Sequence, residues 1–404
     1  MPGTIVTIGA GQTTAVATKT LRRRGHDGRI VIIGDEKHRP YQRPPLSKEL
    51  LSGDLEQDGT FLLEEQWCAD NGVELHLGAP AMRIDVVAGH VELEDGTRVP
   101  GEQFLVATGS RARQLPGVTG ERVVYLRTLD DAVRLRGYMR PGARVIAVGA
   151  GFVGSEVASV ARAAGADVTV IEALDVPLER VLGREMGEVC ARLQRDHGVD
   201  LWTGSGVASV REGASGVTVT THDGRSVDGD VVVVGIGTVP NVDVAERSGV
   251  HVDNGILVDE HCRTNVEGVF AAGDVTNHWH PLFERRLRVE HFDNATKQGM
   301  AAAKNMLGKR TVFDDPHWFW SDQFGANLQH AGDVVAWDDL VVRGSVQDLD
   351  FIAFYLVSGT VQAAFGVNRG GDMYVAKELI AARATPDPAR LRDEDVELAE
   401  LLAD

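Results

Sequence analysis

Apolar runs alternate with glycine turns and amphipathic stretches at the start of the chain. Residues 4–8 form a β-branched run, Gly9-Ala10-Gly11 is a turn, and residues 15–24 have the spacing of a helix. Gly25 closes that helix, and residues 29–33 form a second apolar run. Strand, glycine turn, helix and strand in this order predict a βαβ unit with a parallel sheet.

The same order of elements returns at residue 144. Residues 144–148 form an apolar run, the glycine-rich turn 149–154 follows, a helix extends to residue 164, and residues 168–171 form the next strand. Two such units, about 140 residues apart, predict a duplicated α/β architecture.

Strand-and-turn segments lie between and after these units. Asp95-Gly96 and Asp223-Gly224 carry the signature of two-residue hairpin turns, which predicts antiparallel inserts. From residue 318 the pattern changes to alternating strands, among them 340–346 and 351–357, a helix over 373–382 and a charged tail. These features predict a third domain of the α+β class.

Composition narrows the classes of function. The net charge of −18 over 404 residues argues against nucleic-acid binding, which needs a basic surface. Cys68, Cys190 and Cys262 lie far apart, so sequence neighbours cannot form a redox dithiol, and free thiols suit a reducing cytoplasm. The chain runs from Met1 straight into a strand, and its longest apolar stretch, 231–236, is too short to span a membrane. We therefore expect a cytoplasmic protein.

The first glycine turn has the features of a dinucleotide site. Gly9 allows a tight turn, and Gly11 lets a pyrophosphate approach the backbone at a helix N-terminus. Thr14 stands where a third glycine normally provides close helix–strand packing, so we expect a wider contact or a weaker grip on the cofactor. Asp35 and Glu36 end the next strand, at the place where carboxylates accept hydrogen bonds from ribose hydroxyls.

The second glycine turn is complete, with Gly149, Gly151 and Gly154 in register. Glu172 closes the following strand at the place where a carboxylate binds the 2′-hydroxyl of NAD. No arginine is adjacent to it, which favours NADH over NADPH, although Arg180 follows eight positions later.

Two more glycine turns accompany the dinucleotide motifs. Thr108-Gly109 closes one strand, and Asp274 comes directly after Gly273 at the end of another. A carboxylate at that point suits a hydroxyl of the ribityl chain of FAD. Each turn alone is typical of any strand end, whereas together and in this order they indicate a flavoprotein.

Several runs resemble a known family. The runs Pro40 to Lys48 (PYQRPPLSK), Tyr125 to Thr128 (YLRT), Gly237 to Asn241 (GTVPN), Val289 to His291 (VEH) and Trp318 to Gln323 (WFWSDQ) are similar to those of NADH-linked, FAD-dependent ferredoxin reductases. These putidaredoxin-reductase-like proteins serve Rieske dioxygenases and bacterial P450s. The resemblance covers essentially the whole chain and implies a glutathione-reductase-like fold. Its implied domains are an FAD domain (1–112 and 244–317), an NAD domain (113–243) and a C-terminal α+β domain (318–404).

The resemblance also implies roles for individual residues. FAD would be surrounded by Arg43, Lys48, Ala81, Arg127, Asp274, His291 and Phe292. NAD would be held by Gly151, Gly154, Glu172, Arg180 and Gly237. Lys48 and Glu156 would pair beside flavin N5, with Glu290 and Trp320 near the nicotinamide. Without the resemblance, a solvated surface lysine at Lys48 and a core aromatic at Trp320 are the simpler interpretations.

The implied reaction is hydride transfer from NADH to FAD and single-electron transfer to a [2Fe–2S] ferredoxin that feeds an oxygenase. The run 39–48 holds no cysteine, which disfavours a disulfide reductase or a cysteine-dependent NADH oxidase. A rubredoxin reductase and a redox-sensing flavoprotein resembling apoptosis-inducing factor stay open, as does a monomer or a homodimer. His278-Trp279-His280 has neither HExxH spacing nor nearby cysteines, so no metal site is expected there.

Overall fold

A computed structural model describes residues 3–403. The first part of the chain forms strands β1 (Ile5–Ile8), β2 (Ile30–Ile33), β3 (Val73–His76), β4 (Ala81–Asp85), β5 (His90–Leu93), β6 (Arg98–Pro100), β7 (Gln103–Val106), β8 (Ser110–Ala112) and β9 (Val123–Val124). The helices of this part are α1 (Gln12–Arg23), α2 (Glu49–Ser52), α3 (Glu65–Asp70) and α4 (Leu129–Arg136).

The middle of the chain repeats the alternation of strands and helices. Its strands are β10 (Arg144–Val148), β11 (Asp167–Ile171), β12 (Asp200–Trp202), β13 (Val207–Gly213), β14 (Gly216–Thr221), β15 (Ser226–Gly229), β16 (Val231–Val234), β17 (Thr238–Pro240) and β18 (Ile256–Val258). Its helices are α5 (Phe152–Ala163), α6 (Glu179–Asp196) and α7 (Asp243–Arg247).

The last part contains longer strands. These are β19 (Val269–Ala271), β20 (Thr276–His280), β21 (Arg285–Leu287), β22 (Trp318–Gln323), β23 (Ala326–Gly332), β24 (Asp339–Ser345), β25 (Asp350–Val357) and β26 (Thr360–Val367). The helices are α8 (Phe292–Met306), α9 (Gly370–Ala381) and α10 (Pro388–Arg392).

The chain divides into two compact units. The first unit comprises residues up to 43, 58–111 and 239–317. Its main sheet is parallel, in the order β19-β7-β1-β2-β3, and the side chains of β1 and β2 are buried throughout. Helices α1 and α8 pack together, and a Cβ on Gly299 would lie 2.7 Å from the Thr13 carbonyl oxygen. The close approach of these helices therefore depends on glycine.

The second unit comprises residues 44–57, 112–238 and those from 318 onward. It contains a parallel sheet in the order β12-β11-β10-β16-β9 and an antiparallel sheet in the order β22-β23-β26-β25-β24. Leu182, Val189 and Leu193 of α6 belong to the same core as Phe351 and Phe365 of the antiparallel sheet. The amphipathic face of α6 is thus buried against that sheet.

The structure confirms both predicted βαβ units and both predicted hairpins. Helix α1 begins three residues earlier than predicted, because Gly11 itself is the N-cap. Asp95-Gly96 joins β5 to β6, and Asp223-Gly224 joins β14 to β15. The boundaries of the three predicted domains stay a prediction.

The charged C-terminal segment is more ordered than its composition suggests. It forms α10 and a 3₁₀ turn over residues 398–403. The buried guanidinium of Arg343, on β24, donates hydrogen bonds to the backbone carbonyls of Leu391, Asp393, Glu394 and Val396, the last at 2.9 Å. Charge-assisted bonds to so many carbonyls hold this segment against the sheet. Among the described residues, every helix is too short or too polar to cross a lipid bilayer.

Candidate functional site

The glycine turn of the first unit lies where the strand order of the parallel sheet reverses, between β1 and β7. Gly9 ends β1 with φ +108°, and a Cβ on it would lie 2.1 Å from the carbonyl oxygen of Ala107. Only glycine fits this position, because both the backbone angle and the space exclude a side chain. In open parallel sheets, ligands bind at the carboxyl ends of the strands at such a reversal.

Neither the backbone angle nor the local packing requires a glycine at Gly11 or at Gly151. Both are helix N-caps with negative φ, at −116° and −76°. A Cβ on Gly11 would meet no atom within 4 Å, and one on Gly151 would meet only the Gly235 carbonyl oxygen at 4.0 Å. The space in front of each helix N-terminus is therefore open, as a pyrophosphate requires. Both turns fit the predicted dinucleotides.

The third position of the first glycine turn carries Thr14 in place of glycine. Its side chain is fully buried, and its hydroxyl donates a hydrogen bond to the Gly9 carbonyl oxygen at 2.6 Å. The wider contact between helix and turn expected at this position is therefore bridged by the hydroxyl rather than left empty. Its effect on the affinity for FAD stays a prediction.

Charged side chains cluster after β2 in the first unit. Glu36 accepts hydrogen bonds from Tyr41 at 2.6 Å and from Arg43 at 2.7 Å, so its carboxylate is held in one orientation. Asp35 is exposed and accepts a bond from the backbone N–H of Glu36. The two carboxylates predicted for the ribose thus differ, since Glu36 is fixed by its partners and Asp35 is accessible.

Asp274 comes close to this cluster in the same unit. Its carboxylate accepts a hydrogen bond from the Ser110 hydroxyl at 3.3 Å. Burial alone would lower the pKa of Arg43, but Tyr41, Glu36 and Asp274 raise it overall. Burial lowers the pKa of His291 to about 4, against the opposing charge of Asp274. Residues predicted for FAD from distant parts of the chain are therefore brought together.

Other predicted residues of the first unit have defined places. The Thr108 hydroxyl donates to the Asn241 carbonyl at 2.7 Å, and the Asn241 amide donates back to the Thr108 carbonyl at 2.9 Å. Glu290 forms an ion pair with Arg288 immediately before α8. Three more are located by their elements alone: Ala81 begins β4, His291 is the N-cap of α8, and Phe292 is its first residue.

The glycine turn of the second unit repeats the geometry of the first. Gly149 ends β10 with φ +96°, and a Cβ on it would lie 2.3 Å from the Gly235 carbonyl oxygen, after β16. A Cβ on Gly154 would lie 2.0 Å from the Gly149 carbonyl oxygen, so α5 lies directly on the turn. This is the close packing for which the third glycine was predicted.

Glu172 connects this turn to the end of β11. Its carboxylate accepts hydrogen bonds from the backbone N–H groups of Ala150, at 2.7 Å, and Leu174, at 2.9 Å. A carboxylate fixed beside a glycine turn suits the recognition of ribose hydroxyls. Arg180 is exposed in the first turn of α6, and Gly237, with φ +99°, has open space at its Cβ position. Arg127 precedes the capping box of α4.

Lys48 and Glu156 form the ion pair that the family resemblance implied. The Lys48 ammonium lies 2.7 Å from Oε1 of Glu156, and their side chains are only 11% and 6% exposed. Glu156 also accepts hydrogen bonds from the hydroxyl groups of Ser47 and Ser321, and Gln323 in turn donates to Ser321. A buried carboxylate with three donors is held in one orientation. The solvated-lysine interpretation is therefore wrong.

Ser47, Ser321 and Gln323 were not predicted as site residues. All three lie inside runs that carry the family resemblance, PYQRPPLSK and WFWSDQ, and that was the available signal. Because their hydroxyl and amide groups are uncharged, these residues form no charge pattern in the sequence. Their partner Glu156 lies 109 positions from Ser47 and 165 from Ser321, beyond any local pattern.

Trp320 is half-buried on β22. Its ring stacks on Trp318 at a centroid distance of 5.4 Å and an angle of 24°. Between them in sequence, Phe319 points to the other side of the strand and contacts Phe152 of α5 edge-on at 4.6 Å. Trp318 and Trp320 thus form a flat aromatic surface, while Phe319 anchors the strand.

The three cysteines are free and buried. Burial raises the pKa of Cys190 to about 12, and it also raises the pKa of Cys68 and of Cys262. Thiols of this kind are poor nucleophiles. The candidate site therefore depends on glycine turns, carboxylates and aromatic rings rather than on sulfur chemistry.

Comparisons with known proteins find relatives that match both units of the chain. Residues 3–299 match the family described as pyridine nucleotide-disulphide oxidoreductase, and residues 318–402 match the family described as reductase C-terminal. The ferredoxin–NAD⁺ reductase component of the anthranilate 1,2-dioxygenase system of Burkholderia cepacia is 40% identical, covering 98% of each chain. Rhodocoxin reductase of Rhodococcus erythropolis is 38% identical, covering 98% of this chain and 94% of its own.

Solved structures extend the likeness to three dimensions. The reductase in the crystal structure of the covalent putidaredoxin reductase–putidaredoxin complex has a TM-score of 0.96 at 33% identity, covering 99% of this chain and 98% of its own. The ferredoxin reductase of the CYP199A2 system from Rhodopseudomonas palustris has a TM-score of 0.93 at 32% identity, covering 98% of this chain and 99% of its own.

Proposed function

The chain belongs to the pyridine nucleotide-disulphide oxidoreductase family, and on that premise we propose that it is the NADH-dependent ferredoxin reductase of an oxygenase system. It is an oxidoreductase of the kind that uses FAD and NADH. The observation that carries the proposal is the likeness to oxygenase-linked reductases along almost the entire chain, C-terminal domain included.

The residues of the two glycine turns would hold the two dinucleotides. When bound, NADH supplies a hydride and FAD accepts it, then releases the two electrons one at a time. Gly11 and the N-terminus of α1 would bind the FAD pyrophosphate, with Asp35, Glu36, Arg43 and Asp274 serving its hydroxyl and phosphate groups. The rate enhancement comes from positioning and fixed charge rather than from acid–base groups.

Gly151, Gly154 and Glu172 would hold NADH in the second unit. The Glu172 carboxylate would accept a hydrogen bond from a ribose hydroxyl and repel a 2′-phosphate. This accounts for a preference for NADH over NADPH. Lys48, Glu156, Glu290 and Trp320 stay proposed residues of the redox centre. Their support is the buried ion pair of Lys48 with Glu156 and the flat face of Trp320.

The proposed electron acceptor is a [2Fe–2S] ferredoxin that serves a Rieske dioxygenase or a P450. Support comes from the relatives, which include reductase components of dioxygenase systems and a putidaredoxin reductase. The buried, high-pKa thiols disfavour an internal dithiol as the next carrier. We also propose a cytoplasmic location, since free cysteines suit a reducing compartment.

The test is reduction of cytochrome c by the purified yellow protein, with and without an added [2Fe–2S] ferredoxin, first with NADH and then with NADPH. We expect a large ferredoxin-dependent gain that is strongest with NADH. Efficient reduction of rubredoxin but not of ferredoxin would identify rubredoxin as the electron acceptor instead. If NADH bleaches the flavin and neither carrier is reduced, a redox-sensing role replaces the reductase.

A further inference from the structure

We propose that His278, His280 and His317 form a binding site for a divalent transition metal, with Zn²⁺ as the leading candidate. The first two lie on β20, and the third directly precedes β22, all within the first unit. One ring nitrogen from each lies within 4.8 Å of the others. The side chains are buried, at 1%, 0% and 5% exposure. None of the three histidines is among the residues assigned to FAD or NADH, although His291, assigned to FAD, lies close enough to act on His317.

The hydrogen bond of His280 prepares this side chain as a ligand. Its Nε2 lies 3.0 Å from the backbone carbonyl oxygen of Asp315. A carbonyl only accepts, so Nε2 carries the proton and Nδ1 keeps its lone pair. That Nδ1 is buried without a hydrogen-bond partner among the described residues. Metal-bound histidines typically donate their second N–H to a carbonyl or carboxylate in this way.

Unpartnered ring nitrogens recur in the other two histidines. A ring nitrogen of His278 and Nε2 of His317 are also buried without a partner in the described part of the chain. Each such nitrogen costs about 1–3 kcal/mol relative to a satisfied one. Phe283 and Phe313 line the cluster, with ring centroids 4.8 Å from His280 and 5.3 Å from His278. Three ring nitrogens that lie within 4.8 Å of one another among aromatic rings would be satisfied together by one bound cation.

The cluster consists of neutral imidazoles with charged groups of both signs nearby. Burial lowers the pKa of His278 to about 3 and also lowers the pKa of His280 and His317, so the imidazoles are neutral, as metal ligands must be. The carboxylates of Asp314 and Asp315 act on His280 with negative charge. A divalent ion would therefore meet neutral ligands, with acidic groups beside His280 and with Arg286 and Lys297 beside the other two histidines.

The ligand set selects the metal. Imidazole nitrogen suits Zn²⁺, Cu²⁺ and Ni²⁺ rather than Mg²⁺ or Ca²⁺. Zn–N bonds of about 2.0–2.1 Å place ligand nitrogens about 3.4 Å apart, so the rings must draw together by up to about 1.4 Å. Three histidines leave the fourth tetrahedral position to water. Bound metal would connect β20 to the segment before β22 and stabilise the first unit.

The experiment uses full-length, FAD-loaded protein without an affinity tag, stripped by a chelator and dialysed. Zn²⁺ is titrated by calorimetry, and Co²⁺ is titrated by visible absorption after subtraction of the flavin spectrum. We expect one equivalent of Zn²⁺ per chain, intense tetrahedral Co²⁺ bands that Zn²⁺ abolishes, and a higher thermal midpoint with Zn²⁺ present. These readouts are independent of the NADH-linked reaction.

His317→Asn tests the assignment, with His251→Asn as the control at an exposed histidine outside the cluster. We expect His317→Asn to weaken Zn²⁺ binding about 100-fold or more and His251→Asn to leave it unchanged. If a cluster variant fails to fold, the Co²⁺ spectrum of the unaltered protein decides. Absence of Zn²⁺ binding, a six-coordinate Co²⁺ spectrum, or undiminished binding in folded His317→Asn would overturn the proposal.

Discussion

Thr14 and Gly154 occupy the same position in two copies of one motif and meet opposite requirements. At Gly154 the helix lies so close to the turn that a Cβ would collide with the Gly149 carbonyl oxygen at 2.0 Å. At Thr14 a hydroxyl donates to the corresponding carbonyl, that of Gly9, at 2.6 Å. The larger spacing in the first unit is therefore stabilised by a hydrogen bond rather than left as a gap.

Thr14→Gly is expected to destabilise the protein. The change removes a buried hydrogen bond worth about 1 kcal/mol and adds roughly 0.3 kcal/mol, because glycine is a slightly poorer helix former than threonine. We expect a lower thermal midpoint and no gain in FAD affinity, measured by flavin fluorescence on dilution. Thr14→Ser, which keeps the hydroxyl, is the matched control. Tighter FAD binding in Thr14→Gly would support the expectation that Thr14 weakens the grip on the cofactor.

The buried pair of Lys48 and Glu156 makes a second prediction at this scale. Glu156→Gln leaves the Lys48 ammonium buried without a counter-charge, which typically costs about 3–5 kcal/mol. The double variant Lys48→Met with Glu156→Gln removes both charges and should recover much of that loss. Thermal midpoints of the two single variants and the double variant measure the coupling. Simple additivity of the single effects would show that the pair is not coupled.

At the scale of elements, the glycines of the second turn have separate roles, one in helix packing and one in ligand binding. Gly151 faces open space, so Gly151→Ala should leave the thermal midpoint nearly unchanged and raise the KM for NADH about tenfold or more, because the methyl group occupies the pyrophosphate position. Gly154→Ala should lower the thermal midpoint, because its Cβ collides with the turn. An unchanged KM for NADH in folded Gly151→Ala would count against dinucleotide binding at this turn.

The local elements could be predicted from the sequence, because β-branched runs and glycine turns act over a few residues. The βαβ units at residues 4–33 and 144–171 follow from such patterns. The hydrogen-bond network around Glu156 could not be predicted from its residues alone, since its partners come from distant segments that only the fold brings together. The order of the C-terminal segment was missed because Arg343 binds backbone carbonyls, which every sequence provides.

The family resemblance supplied what local pattern could not. It implied the Lys48–Glu156 pair across more than a hundred positions, and the structure contains that pair. It did not indicate whether Thr14 stabilises or destabilises the contact between helix and turn, because that depends on the spacing of one helix and one turn. The His278, His280 and His317 cluster was missed because its third member lies 37 positions after the second.

At the scale of the whole molecule, each unit has its own parallel sheet and its own glycine turn. Removal of FAD should therefore raise amide hydrogen exchange in residues 9–14 and around Arg43. Saturation with NADH should lower exchange in residues 149–154, since binding stabilises the segments that contact the ligand. Exchange mass spectrometry of the FAD-free, FAD-loaded and NADH-saturated protein measures both effects. Protection by NADH at residues 9–14 instead of 149–154 would reverse the assignment of the two turns.

The buried guanidinium of Arg343 bears on how the protein is degraded. Its donors bind carbonyls between Leu391 and Val396, close to the C-terminus. Proteolytic cleavage within residues 391–396 would detach those acceptors and leave a cation with fewer partners beneath the sheet. The loss of these hydrogen bonds should destabilise the antiparallel sheet and expose it to further cleavage. The resistance of the antiparallel sheet to proteases should therefore depend on the segment that covers Arg343.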